Sequence, residues 1–219
     1  MSLFRKKIRK IEKKLFTQNP APLFKKNENF QGGEQILINN SFYADKFCFG
    51  ELNPNKIFYI IKRSPGAGLF SNLTFVLNHL KIAKENNYIP FVDMQEFPSI
   101  YNESSKIYNT NNSWEYFFEN VSNFSLKEIY KSKNVIITKN NFNDSFSLWI
   151  DKDKSLIKLL KNDIKLRKHI LNTYNRINKK YFDKKKVLGI HFRGTTYKNS
   201  AGHPLPATKK QIYNLIKKV

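Results

Sequence analysis

One stretch of the chain, residues 56–94, limits the possible fold more than any other. It begins with KIFYIIKR at 56–63, an almost continuous apolar run that is typical of a strand buried on both faces. The loop SPGAG cannot continue a strand or a helix, and residues 69–86 then repeat apolar side chains at helical spacing. YIPFVDM at 88–94 predicts a second strand. Strand, loop, helix and strand form a βαβ unit, so we predict an α/β fold with a parallel, Rossmann-like sheet and a right-handed crossover.

The rest of the chain continues this alternation. The pattern predicts short helices near 114–120 and 126–130, a strand at 134–138, one long helix over 154–182, a strand at 186–194 and a last helix from about Thr208. A strand, a Pro/Gly loop and a single helix are only the beginning of a second α/β unit. We therefore expect a first domain over 36–183 and an incomplete, truncated second domain over 184–219.

The N-terminal segment is an appendage to this fold. Residues 2–17 place apolar side chains at roughly helical spacing among many basic ones, which predicts an amphipathic helix on an anionic membrane surface or, equally, a solvated helix on its own protein. NPAP at 19–22 breaks the helix, so 1–35 is interpreted as a basic segment and linker. No apolar run is long enough to span a bilayer and no signal h-region is present, so we expect a cytoplasmic protein, peripheral at the inner membrane face. The single cysteine, Cys48, agrees with a reducing compartment.

The charge balance is strongly basic, with 39 Lys and Arg against 17 Asp and Glu and a formal net charge of +22. Only six of the basic residues are arginines, and the lysines are spread along the chain. Arginine is the side chain that suits base reading and bidentate phosphate contacts, so this composition argues against a nucleic-acid partner. Because arginine is scarce, Arg63 and Arg193 stand out beside glycines or at predicted strand ends.

The first candidate cluster is the loop between the first strand and its helix. Gly66, Gly68 and Asn72 lie where a helix N-terminus could bind an anion or a sugar hydroxyl. The loop is neither a Walker loop nor a complete GxGxxG, because Ser71 stands where the third glycine would be. Taken alone, it fits a tight βα turn better than a ligand site.

The second cluster is GIHFRGT at 189–195, at the end of the last predicted strand. Strand alternation puts His191 and Arg193 on one face at the carboxyl end, where open α/β sheets place ligands, with Gly194 and Thr195 just beyond. Arginine can make paired, charge-assisted hydrogen bonds to a phosphate. The alternative is a structural ion pair beside a hydrogen-bonded histidine.

Other polar residues suggest less. Asp151 and Asp153 match a DxD pattern, but they precede a predicted helix, where a carboxylate more often caps free amides. The four histidines are scattered and Cys48 has no histidine close in sequence, so we expect no metal site and no thiol nucleophile.

Taken together, the two clusters resemble the bacterial and animal fucosyltransferase superfamily of two-domain, GT-B-like glycosyltransferases. GAGLFSN at 66–72 is similar to the family's glycine loop on the acceptor side, and HFR at 191–193 is similar to its H-x-R motif. Three further segments resemble a bacterial branch that acts on surface polysaccharides, namely PFVD at 90–93, NSWEYFF at 112–118 and GHPLPAT at 202–208. The resemblance covers residues 56–219 and makes 36–183 the acceptor-side domain and 184–219 the start of the donor domain.

The resemblance implies transfer of a sugar, expected to be fucose from GDP-fucose, to a glycan acceptor with inversion. The partners would be the nucleotide sugar and the glycan, and neither a metal nor another cofactor is expected. Arg193 would neutralise charge on the β-phosphate of the leaving GDP, and Asp93 or Glu115 would be the general base. The implied donor-binding residues are His191, Arg193, Gly194 and Thr195, and the implied acceptor-binding residues are Gly66, Gly68, Asn72 and Trp114.

The sequence also departs from the family pattern. Thr196 stands where the bacterial branch has a carboxylate, and Gly194 stands where some members have a second arginine. These departures and the expected truncation favour an alternative, in which the chain is a catalytically inactive remnant that binds a glycan or a membrane surface.

Overall fold

The structure is a computed structural model that describes residues 32–39, 42–66, 68–139, 154–185, 187, 189 and 207–217. The chain divides into two compact units, Met1–Asn172 and Thr173–Val219. The predictions for residues 2–17 and for Asp151 and Asp153 lie outside the described residues, as do all but two residues of the predicted strand 186–194. The predicted domain boundary at 183–184 stays a prediction.

A five-stranded mixed sheet forms the centre of the first unit. Its strands are β1 (Glu34–Ile38), β2 (Phe42–Phe47), β3 (Leu52–Ile61), β4 (Ile89–Val92) and β5 (Ser132–Thr138), in the spatial order β1-β2-β5-β3-β4. Strand β3 pairs parallel with both β4 and β5, while β2 pairs antiparallel with β1 and β5. The predicted α/β fold with a parallel core is therefore confirmed. The antiparallel pair β1 and β2 extends that core and was not predicted, because these short, partly charged segments lack a long apolar run.

Strand β3 is buried on both faces at its carboxyl-terminal half, as the apolar run predicts. Phe58, Tyr59, Ile60 and Ile61 have no exposed surface. Tyr59 and Ile61 belong to one hydrophobic cluster, and Phe58 and Ile60 belong to a second cluster. Successive side chains of a strand point to opposite faces, so the sheet has an apolar layer on each side.

The helices are α1 (Leu69–Glu85), α2 (Leu126–Ile129), α3 (Lys154–Asp163), α4 (Lys168–Ile177) and α5 (Lys209–Ile216), with a 3-10 helix at Ser113–Tyr116 and a π-helical turn at Asn178–Phe182. The predicted amphipathic helix after the glycine loop is confirmed: α1 buries its apolar stripe, including Leu73, Leu77 and Leu80, in the same cluster as Leu156 and Leu159 of α3. None of the described helices is both long and apolar enough to cross a membrane.

The single long helix predicted over 154–182 is wrong, because the helix breaks between Asp163 and Lys168. In that gap Leu166 forms a β-bridge with Phe118, and the amide of Arg167 donates to the carbonyl of Phe117 at 3.0 Å. These backbone hydrogen bonds to a distant segment replace the intrahelical ones. Tertiary pairing thus overrides a local pattern that continues without interruption through the gap.

Candidate functional site

The carboxyl ends of the three parallel strands bring the candidate residues of this unit to one edge of the sheet. Lys62 and Arg63 follow β3, Asp93 follows β4, and Lys139 follows β5. The amide of Asp93 donates to the carbonyl of Ile61 at 3.1 Å, which holds the first two strand ends side by side. Open α/β sheets bind their ligands at this edge, so we describe it as the candidate site.

Gly66 and Asn72 are in contact within the glycine loop. Gly66 has φ +76°, and a Cβ there would lie 3.0 Å from Asn72 Oδ1 and 3.0 Å from the Arg63 carbonyl oxygen. Only glycine adopts that backbone conformation readily and leaves this space. Asn72 is buried, with 2% of its surface exposed. The spacing of these two residues therefore has a packing reason, and their predicted role in acceptor binding stays a prediction.

Gly68 lies in the same loop but has no such reason to be glycine. Its φ is −56°, and a Cβ there would meet none of the described residues within 4 Å. It is the N-cap residue of α1, a position that glycine suits. The fold therefore tolerates a side chain at this position, and the glycine leaves open space beside the helix.

Arg63, at the end of β3, is hydrogen-bonded to the first turn of α1. Its guanidinium donates to the carbonyl oxygen of Ser71 at 3.0 Å and to Ser71 Oγ at 3.1 Å, and it lies 4.7 Å from the centre of the Phe75 ring. Burial lowers the pKa of Arg63. The sequence singled out this arginine by its rarity, and the structure shows that it supports the glycine loop.

A second loop, residues 94–102, is joined to the glycine loop by hydrogen bonds. Ser64 Oγ donates to the carbonyl oxygen of Pro98 at 2.7 Å, and the Ile100 amide donates to that of Pro65 at 2.9 Å. The Ser99 hydroxyl in turn shares a 2.8 Å hydrogen bond with that of Ser113 in the 3-10 helix. The two loops and the 3-10 helix thus form one connected assembly at the edge of the sheet.

Asn112 fixes the 3-10 helix to the end of β4. Its Nδ2 donates to the carbonyl oxygen of Val92 at 2.7 Å, and its Oδ1 accepts from the amides of Met94 at 3.1 Å and Trp114 at 3.3 Å. The side chain is buried, so these bonds satisfy polar groups that water does not reach. Sequence reasoning included Asn112 only as the first residue of the family-like segment at 112–118 and predicted no role for it; the Asn-Ser pair before an aromatic run is the capping signal that could have indicated one.

Glu115 is brought to the candidate site by this arrangement. It is half-buried, and its Oε1 accepts from Asn112 Nδ2 at 3.4 Å and from Asn120 Nδ2 at 3.3 Å. Within the described residues its Oε2 accepts no hydrogen bond. A carboxylate with one oxygen held by amides and the other open can accept the proton of a bound hydroxyl.

Asp93 has no exposed surface, and both of its carboxyl oxygens are used inside the protein. Oδ1 accepts from the amides of Gln95 and Glu96, each at 2.9 Å, and Oδ2 accepts from the Tyr130 hydroxyl at 2.6 Å. Burial raises the pKa of Asp93 to about 6, although the three hydrogen bonds act to lower it. Burial and the neighbouring Asp93 raise the pKa of Tyr130 well above its usual value. In this arrangement Asp93 holds the turn after β4 and presents no oxygen to a substrate.

Two lysines lie at the carboxyl ends of β3 and β5. The Lys62 ammonium is 4.7 Å from the centre of the Phe97 ring, and burial lowers its pKa although Asp45 acts in the opposite direction. Lys139 forms an ion pair with Asp45 at 3.0 Å. Among the described residues there, Lys62, Lys139 and Asp45 together leave one net positive charge.

Two residues that could be taken for site residues belong to the core. Trp114 is 2% exposed, packs on Phe118 with ring centres 4.4 Å apart, and donates from Nε1 to the Glu119 carbonyl oxygen at 3.1 Å. Its predicted contact with an acceptor stays a prediction, but the ring offers almost no surface. His79 Nδ1 lies 2.8 Å from the Tyr59 hydroxyl, and burial, with the charge of Arg63, lowers its pKa to about 3.

The predicted donor-binding residues His191, Arg193, Gly194 and Thr195 lie outside the described residues, and the structure places none of them. In the part of the chain that the structure describes, no group of three or more His, Cys, Asp or Glu side chains could hold a metal ion. Comparisons with protein-family models, curated proteins and solved structures found no match for this chain.

Proposed function

We propose that this chain is a glycosyltransferase of the fucosyltransferase type, which transfers a sugar from a nucleotide sugar to a glycan acceptor with inversion. The observation that carries the proposal is the assembly at the carboxyl edge of the sheet. There Asn112 holds Glu115 at the end of β4, and Ser64 and Ile100 join the loop at 94–102 to the glycine loop. This edge offers a carboxylate, an open glycine position and excess positive charge at the place where α/β sheets bind ligands.

Of the two predicted general bases, the geometry favours Glu115. Asp93 has no exposed surface and both of its oxygens accept hydrogen bonds, whereas Glu115 is half-buried and has an open oxygen. In the proposed reaction the acceptor hydroxyl gives its proton to Glu115 as its oxygen forms a bond to the anomeric carbon. The bond from that carbon to the β-phosphate oxygen breaks at the same time, and GDP leaves with the electron pair. Arg193 is proposed to neutralise the charge that develops on the phosphate.

The test is binding and transfer of GDP-fucose by the longest chain that the gene encodes, with the 219-residue chain beside it. Calorimetry against GDP-fucose, GDP and UDP-glucose measures binding, and transfer of labelled fucose to a glycan measures activity. We expect Arg193→Ala to abolish binding of GDP-fucose. We expect Glu115→Gln to bind GDP-fucose normally and to lose about 10²-fold or more in transfer rate, because the base is removed. Glu119→Gln is the matched control, since Glu119 is an exposed carboxylate four residues away.

Two results would contradict the proposal. If no form of the protein binds a sugar nucleotide, the assignment of Arg193 is wrong and the chain is better explained as a module that binds a glycan or a membrane surface. If Glu115→Gln and Glu119→Gln transfer fucose equally well, Glu115 is not the base.

We further propose that the enzyme works at the inner face of the cytoplasmic membrane, held there by the basic segment at 2–17. The basic and apolar pattern of that segment supports this location. Co-sedimentation with vesicles containing about 30% phosphatidylglycerol, with and without residues 1–22, tests it: binding that does not depend on these residues would contradict the proposal.

A further inference from the structure

Two exposed apolar side chains lie beside the glycine loop of the candidate site. Phe70, in the first turn of α1, is 77% exposed, the largest exposed fraction among the described large apolar side chains. Ile100 is 55% exposed, and its amide is bonded to the carbonyl oxygen of Pro65 in the same loop. Scattered apolar side chains are common on protein surfaces, but these two belong to the candidate site, at the edge where open α/β sheets bind their ligands.

The fold does not use Phe70 for its own stability. Leu69 occupies the core position in the first turn of α1, and the apolar stripe continues through Leu73 and Leu77. Phe70 lies to one side of that stripe and forgoes the stabilisation that burial of an aromatic ring would give. The position is therefore available for contact with a ligand.

Gly68 adds an independent observation. It has an ordinary φ of −56° as the N-cap residue of α1, and among the described residues nothing would meet a Cβ at this position, so the glycine leaves open space there. At Gly66, two residues earlier, both the positive φ and the close packing require glycine. The open space at Gly68, two residues before an exposed ring, leaves room for a flat ligand to lie against the ring.

We infer that Phe70 is an aromatic platform for a pyranose ring of the acceptor glycan, with Gly68 providing space for the sugar and Ile100 contacting its rim. One face of a pyranose presents several C–H groups, which pack well on the electron-rich face of an aromatic ring. The identification of this sugar as the acceptor rests on the proposed function. The platform itself rests on the exposure of Phe70 and the open space at Gly68.

The first test measures sugar binding by the full 219-residue chain. The probes are chitobiose, N-acetyllactosamine and maltose, with the acyclic ribitol as a negative control, and binding is measured by saturation-transfer NMR and calorimetry. We expect at least one disaccharide to bind, Phe70→Ala to weaken its Kd about tenfold, and Phe70→Trp to retain it. Gly68→Val should weaken binding similarly, because its side chain fills the space for the sugar. Tyr43→Ala is the matched control, since Tyr43 is an exposed aromatic residue on β2.

Failure of this inference can be told apart from failure of the proposed function. If no disaccharide binds, or if Phe70→Ala binds as tightly as the wild type, the platform is refuted. Urea unfolding of Phe70→Ala shows whether the variant is folded, and Phe70→Trp provides a second variant that keeps an aromatic ring. If fucose transfer occurs and Phe70→Ala leaves the acceptor KM unchanged, the inference is wrong and the proposed function stands. If sugars bind through Phe70 but GDP-fucose does not bind, the proposed function is wrong and the platform stands.

Discussion

The buried carboxyl of Asp93 should make the stability of this protein fall as the pH rises from about 4 to about 6. Burial raises its pKa in the folded protein to about 6, from an ordinary value of 3.8. The folded state therefore holds a proton that the unfolded chain releases, and the free energy of unfolding decreases with pH between these two values. This rise in pKa corresponds to about 3 kcal/mol of stabilising free energy at about pH 4, all of which is lost above about pH 6. This is the opposite of the usual carboxylate, which stabilises the folded state at higher pH.

The perturbation that isolates this effect is Asp93→Asn. The asparagine Oδ1 can still accept from the amides of Gln95 and Glu96, and its Nδ2 can donate to the Tyr130 hydroxyl oxygen, so the turn is kept. We expect the variant to be close to the wild type in stability at about pH 4 and more stable by up to about 3 kcal/mol at about pH 7.5. Subtracting the free energy of unfolding of the wild type from that of the variant removes the contributions of all other titrating groups.

The assay is urea unfolding at half-unit steps from about pH 4 to about pH 8, followed by the fluorescence of Trp114 in a Trp149→Phe background. Tyr130→Phe provides a second check. It removes the hydroxyl that stabilises the ionised Asp93, so it should lower the free energy of unfolding more at about pH 7.5 than at about pH 4. The same substitution made in the Asp93→Asn variant should lower the free energy of unfolding much less. Parallel stability curves for the wild type and Asp93→Asn over the whole range would refute the reasoning. So would a carboxyl NMR titration of Asp93 with a midpoint near its ordinary value.

The remaining predictions concern the glycine loop and the aromatic core. Gly66→Ala should destabilise the protein by about 1–3 kcal/mol, because alanine disfavours φ +76° and its Cβ would crowd Asn72. Gly68→Ser should change stability by less than about 0.5 kcal/mol, because serine and glycine both suit the N-cap of α1 and a Cβ at this position meets none of the described residues. Equal urea midpoints for these two variants would contradict the packing argument. Trp114→Ala should cost about 3–5 kcal/mol, since it empties a buried site, and thermal unfolding of Trp114→Ala and the exposed-site variant Phe70→Ala compares the two positions directly. A mild effect at Trp114 would instead favour the predicted surface role for that residue.

Sequence patterns were sufficient for the parts of the fold in which local and tertiary preferences agree. The apolar run at 56–63 can be satisfied only by burial on both sides, and α1 has a continuous stripe at helical spacing, so strand, helix and crossover could all be predicted. The pattern over 154–182 was equally helical, yet the chain breaks at 164–167 to pair with the segment around Phe118. No local signal reports a backbone hydrogen bond to a residue so far away along the chain.

The same distinction applies to the candidate site. By itself the sequence determined that a glycine loop and a carboxylate follow two neighbouring parallel strands, because strand direction places both at one edge of the sheet. Only the tertiary structure decided how accessible each side chain is. It buried Asp93 and Trp114, left Phe70 and part of Glu115 exposed, and divided two similar glycines into one that packing requires and one that it does not. Burial depends on contacts between segments far apart in the chain, and residue type and spacing do not encode which of two polar or aromatic side chains will be covered.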